Sequence, residues 1–196
     1  MTTYYKATQP DGTSFYDGTT KWQVGRIVRH PNPDISLGLC SAGVLHISDA
    51  LGETLVGGRW PCRLFEVEPR SHPLLDGGSN GHKYGCTEVK VVRELPAWQA
   101  LGPNGEAVAA LIERCKTLTY GEAKQLGAAW DSARDAARGA AWDSARAAAR
   151  VAAWNAAGYA AWDAAWDSAW ALMTKDLITP DQFDLLYGPW EKVMGS

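Results

Sequence analysis

Two periods of apolar and polar residues divide the chain. In the first hundred residues the alternation is short: "CRLFEVEP" and "CTEVKVVREL" carry the pattern of half-buried strands, and "YYKATQP" opens the chain in the same way. A second strand is expected through Trp22 to Val28, where β-formers are bounded by Gly, Asp and Pro. "GLCSAGVLHISDALGETLVGG" reads as a strand, a cap at Ser48-Asp49 and a short helix through Ala50, Leu51, Leu55 and Val56. "RSHPLLDGGSNGHKYG" reads as a long Gly-rich loop. Residues 1–104 therefore form a small α+β domain on an antiparallel or mixed sheet.

After the turn signal Pro103-Asn104-Gly105 the grammar becomes helical, through Ala107, Ala110, Leu111 and Cys115. Thr119 with Glu122 is a capping box for a second helix, and Thr179-Pro180-Asp181-Gln182 starts a last short one over 180–194. Between them, residues 128–170 read as tetrads: AAWD, SARD, AARG, AAWD, SARA, AARV, AAWN, AAGY, AAWD, AAWD, SAW. Ala is the best helix former, and Asp three residues ahead of Arg, as in Asp131 and Arg134, adds local ion pairs. Residues 105–196 are thus an Ala-rich, all-helical region.

Four residues advance a helix by about 400°, so each tetrad lies about 40° further round than the last. Small residues such as Ala140 and Ala141 form a close-approach face, and beside it runs a column containing Trp130, Trp142, Trp154, Trp162, Trp166 and Trp170. A partner that winds right-handedly can follow such a spiral. Lone glycines at Gly139 and Gly158 weaken a helix without supplying turn chemistry, which favours one long helix over a helical hairpin. A rod from Thr119 to Lys175 would measure roughly 85 Å and would require self-association, so a homo-oligomer is expected.

Composition narrows the function classes. The 196 residues are 46% hydrophobic and 21% charged with a net charge of −3, the balance of a folded domain. No basic arm or run of like charge is present, and the Arg residues of the tetrads sit among Asp residues, so nucleic-acid binding is disfavoured. Asp163 and Asp167 would each cost about 2.5–3.5 kcal/mol inside a bilayer, which disfavours a membrane span. "MTTYYKATQPDG" lacks the features of a secretory signal, so a cytoplasmic location is expected. Cys40, Cys62, Cys86 and Cys115 are widely spaced and read as free thiols. A zinc set drawn from Cys40, Cys62, Cys86, His72 and His82 would lack any close ligand pair, so no metal is expected. Nucleophile-elbow, P-loop and dinucleotide motifs are missing.

Two resemblances follow from particular residues. Tyr5-Lys6-Ala7, Gly25, Leu39-Cys40 with Gly43 and His46, Val67-Glu68, and Val91-Val92-Arg93-Glu94-Leu95 resemble an uncharacterised domain of bacteriophage and bacterial proteins. The tetrads and "LITPDQFDLLYGPWEKVMG" look like tails of actinobacterial and actinophage proteins. This likeness implies a phage-type accessory protein in a bacterial host, non-catalytic, that binds a small ligand or host protein. Fainter is a likeness to the diphtheria-toxin-like ADP-ribosyltransferase core, carried by Tyr5, then Gly43 to Ser48, then Ala50 to Val56. The ligand contacts expected of the α+β domain are Tyr5, Lys6, His46 and Ser48, and the enzymatic form of the likeness implies NAD as cofactor and Glu88 as the catalytic acid. Lys6 stands where that family has an NAD-contacting His.

Overall fold

A computed structural model describes residues 2–39, 41–71, 74–75, 81–136 and 166–195. The chain divides into two compact units, Met1–Ala100 and Leu101–Ser196.

The first unit is built on one antiparallel sheet of β1 (Tyr4–Thr8), β2 (Ile27–Arg29), β3 (Leu45–Ser48), β4 (Arg63–Pro69), β5 (Leu74–Leu75), β6 (Lys83–Cys86) and β7 (Glu88–Leu95), in the order β2-β7-β4-β1-β3-β6-β5. The two long alternating segments are neighbours: β4 pairs with β7 through Val67↔Val91 and Phe65↔Glu94, with a bulge between Glu66 and Val67. Phe65, Val67, Val89 and Val91 share a core with Leu45, Ile47, Cys86, Val28 and Trp22, while Val92 on the opposite face is exposed. That is the two-residue period at work: one face of each strand is taken out of water, and the other carries cross-strand ion pairs. Arg93–Glu66 at 2.6 Å is such a pair, while Arg63–Glu94 at 2.6 Å lies on the Phe65 side, with the Arg63 guanidinium over the Phe65 ring.

Three expectations need correction. The stretch read as a long loop contains β5 and β6, which pair with each other through Leu74↔Gly85 and Leu75↔Tyr84. Each is so short that its alternation is submerged among glycines. The second strand is only Ile27–Arg29, because Thr13↔Lys21 bridges into a local turn structure that pulls Trp22 out of the sheet and into the core. After β3 comes a single 3-10 turn at Leu51–Glu53, with no side-chain cap. The Ser48 hydroxyl meets Ala50 instead, donating to its carbonyl at 2.9 Å and accepting from its N–H at 3.1 Å.

In the second unit α1 (Gly105–Cys115), α2 (Tyr120–Ala136), α3 (Trp166–Met173) and α4 (Pro180–Met194) are helical. Both capping boxes form. Thr119 accepts from the Glu122 N–H while Glu122 accepts from the Thr119 N–H at 2.7 Å, and Thr179 and Gln182 reciprocate in the same way. Val108, Leu111, Ile112, Leu126, Leu172, Leu186 and Trp190 are buried.

α2 and α3 both pack against α4. The expectation of one long helix through the tetrads falls on residues 137–165, which lie outside the described residues. Between α2 and α4, the tetrad residues Ala129, Ser132 and Ala133 line an open groove of about 430 Å³ with Gly188 and Pro189. No helix among the described residues is long and apolar enough to cross a membrane.

Candidate functional site

The sheet of the first unit is not evenly sewn. β1 shares five registered pairs with β4 and β3 shares four with β6, but β1 and β3 meet in the single pair Tyr5↔Ser48. The two halves of the sheet part along this seam. Turn-rich chain borders the parting on two sides. Asp17 folds the first turn by accepting from the N–H groups of Thr19 and Thr20 at 2.7 and 2.8 Å, and Asp34 folds the second by accepting from Ser36 N–H at 3.0 Å. Asp-x-Thr and Asp-x-Ser stretches favour such turns because a short carboxylate reaches its own backbone two residues on.

Between these walls lies a cavity of about 440 Å³, within the range of small-molecule sites. Lys6 of β1 and His46 of β3 both line it. The wall beside Lys6 is the buried Trp22, whose indole N–H donates to Ser14 Oγ at 2.8 Å. Val44 and Leu45 add apolar surface, and the rim carries Tyr16 and Leu37, which are 73% and 61% exposed. Large apolar side chains left in water beside a concavity are a feature of ligand sites.

The polar groups fall into two kinds. Asp17 and Asp34 are committed to their turns: burial pushes the Asp17 carboxyl up, but the bonds from Thr20 and Thr19 more than offset this and hold its pKa low. Lys6 and His46 are not committed in this way. The Lys6 ammonium lies 5.3 Å from the centroid of the Trp22 ring and makes no hydrogen bond or ion pair among the described residues. Burial lowers its pKa to about 8, against the pull of Asp17 in the other direction. His46 Nε2 is bonded to the Leu39 carbonyl. A carbonyl only accepts, so Nε2 carries the proton and Nδ1 presents a lone pair. Burial lowers the His46 pKa to about 4, opposed by the Leu39 bond and reinforced by Lys83, Lys6 and His30. The cavity thus holds an ammonium that no carboxylate among the described residues hydrogen-bonds, beside a neutral imidazole.

Of the residues expected to bind ligand, Lys6 and His46 line this cavity. Tyr5 and Ser48 line a smaller one of about 50 Å³, which Lys6 and His46 also border. Glu88 is elsewhere: its carboxylate accepts from Arg29 Nε at 2.6 Å across the β2–β7 pair, and it does not line the cavity. Trp130 is buried in the second unit, and its indole N–H has no partner among the described residues. Trp170 is half-buried. Trp166 belongs to α3, and Trp142, Trp154, Trp162, Ala140 and Ala141 lie outside the described residues. Cys62 and Cys86 are buried free thiols whose pKa values burial raises to about 12, and His82 Nδ1 is bonded to Asp49 at 2.7 Å. Cys40 and His72 fall outside the described residues.

Sequence reasoning missed Ser14, Tyr16, Asp17, Trp22 and Asp34, because loop walls have no period. The usable signal was the doublet Asp11-Gly12-Thr13 and Asp17-Gly18-Thr19, two side-chain-closed turns between a strand and an isolated Trp. In comparisons with protein-family models, curated proteins and solved structures, nothing matches this chain.

Proposed function

We propose that this chain is a non-catalytic accessory protein whose first unit binds a small molecule in the seam between β1 and β3, and whose tetrad repeat mediates self-association. One observation carries the binding half: a Lys6 amine that lines a cavity of about 440 Å³ beside Trp22 and makes no hydrogen bond among the described residues. Desolvating an ammonium costs free energy that the Trp22 ring and the more distant pull of Asp17 offset only in part, and an incoming acceptor would supply the missing hydrogen bond. The self-association half is supported by the tetrad pattern of the sequence. The setting that fits the resemblance to phage and actinobacterial proteins is the cytoplasm of a bacterial host.

The alternative is an ADP-ribosyltransferase-like enzyme using NAD. What favours it is that Lys6 and His46, two of the four expected contacts, border one cavity. Against it, Glu88 does not line that cavity and accepts from Arg29.

The test is titration of ¹⁵N-labelled protein with benzyl alcohol, benzoate, nicotinamide and NAD, reading the Trp22 indole N–H. At least one should shift it saturably, and Ala42→Trp, an exposed position lining the cavity, should abolish the shift. No saturable shift from any of the four at millimolar concentration overturns the binding half. Transfer of label from NAD to protein would establish the enzyme in its place. Light scattering at micromolar concentration reads the other half, and a monomer overturns it.

A further inference from the structure

We propose that Lys6 captures a small aldehyde or ketone in this cavity as a reversible imine, with His46 Nδ1 relaying the protons. This deepens the reading above and rests on the cavity being a small-molecule site.

The geometry sets Lys6 apart from the other lysines. Lys21 and Lys116 are held by Asp11 and Glu113 at 3.4 and 2.6 Å, Lys90, Lys124, Lys175 and Lys192 are exposed to water, and the half-buried Lys83 lines the smaller cavity but not this one. Lys6 is half-buried, lines a concavity and makes no hydrogen bond among the described residues that would have to break before it reacts. Trp22 on one side and Val44 and Leu45 on another offer an apolar seat for the body of a carbonyl compound. A desolvated amine is the usual form of an imine-forming lysine, and with its pKa near 8 about one molecule in ten is free base at pH 7. His46 lines the same cavity as a neutral imidazole whose Nε2 is bonded to the Leu39 carbonyl, and the relay requires its Nδ1 to reach the amine directly or through one water.

The chemistry balances without any further reagent. The amine lone pair adds to the carbonyl carbon while the C=O π pair moves to oxygen. Nitrogen then loses a proton to His46 Nδ1, and the imidazolium passes that proton to oxygen, giving a neutral carbinolamine. A proton taken up from water through Nδ1 then goes to the hydroxyl group, which leaves as water as the nitrogen lone pair closes the C=N bond, and the resulting iminium N–H gives a proton back to water. Nothing is oxidised or reduced, and hydrolysis retraces the same steps.

The experiment incubates the full chain with benzaldehyde and sodium cyanoborohydride, which fixes an imine as a stable secondary amine, and follows each site by tandem mass spectrometry. Fragment ions separate Lys6 from the nearby α-amine. Lys6 should be modified at least about tenfold faster than any other lysine, with a rate that rises with pH to a midpoint near 8. His46→Gln keeps a donor for the Leu39 carbonyl but removes the base. It should slow Lys6 modification at least about tenfold while leaving the benzyl alcohol shift of Trp22 unchanged. If benzyl alcohol shifts Trp22 but Lys6 reacts no faster than exposed lysines, imine capture is wrong and the small-molecule reading stands. If neither occurs, both fall. An unchanged rate in His46→Gln removes His46 from the mechanism.

Discussion

At the scale of single residues, the seam uses side chains against their ordinary preferences. His46 is kept neutral by burial and by nearby cations, and that leaves a trace in stability. Its pKa in the folded protein is about 4, against 6.5 for the free side chain. Between those values the unfolded chain holds more protons than the folded one, so stability rises with pH across the interval. The contribution of His46 is complete above about pH 6.5 and disappears as pH falls toward 4. The ring is half-buried, which reduces the effect to on the order of 1–2 kcal/mol. Urea unfolding of wild type and His46→Gln at pH 4.5 and 7 should therefore show the wild type losing that much more on acidification. Parallel losses in the two proteins would mean that His46 titrates normally.

At the scale of elements, the cavity wall depends on one close approach of backbone to backbone. The Asp34 N–H donates to the Gly43 carbonyl at 3.0 Å, and a Cβ on Gly43 would fall 2.1 Å from the Asp34 carbonyl oxygen. No rotamer relieves a clash with main chain. Gly43→Ala should cost about 3 kcal/mol and displace the wall that joins Asp34 to His46, whereas Gly52→Ala, with open space around it, should stay within about 0.5 kcal/mol. The two urea midpoints decide this, and equal midpoints would show that the wall is free to move.

Elements with a clean period were legible in advance. β4 and β7 alternate, and the boxes at Thr119 and Thr179 announce α2 and α4. β5 and β6 were hidden because two- and four-residue strands are too short to show alternation among glycines. In the site, Lys6 and His46 came only from a resemblance. Their meeting depends on the parting of β1 from β3, a long-range fact that no local pattern encodes. Of the tetrads, only residues 128–136 in α2 and 166–170 in α3 fall among the described residues, and both helices pack against α4.

At the scale of the whole molecule, the division at Ala100 and Leu101 separates two cores of different origin. The first gathers residues distant in sequence, from Trp22 to Val91, through sheet pairing. The second stacks the apolar faces of α1 to α4, with Leu126, Leu172 and Leu186 fully or nearly buried. A unit of about 100 residues with its own core is large enough to unfold as a cooperative body. Calorimetry of the full chain should therefore resolve two transitions. The Gly43→Ala substitution assigns them: it should lower one by roughly 10 °C or more, from about 3 kcal/mol over a domain of this size, and leave the other in place. A single transition whose calorimetric and van't Hoff enthalpies agree, shifted as a whole by Gly43→Ala, would show instead that the two cores form one cooperative unit.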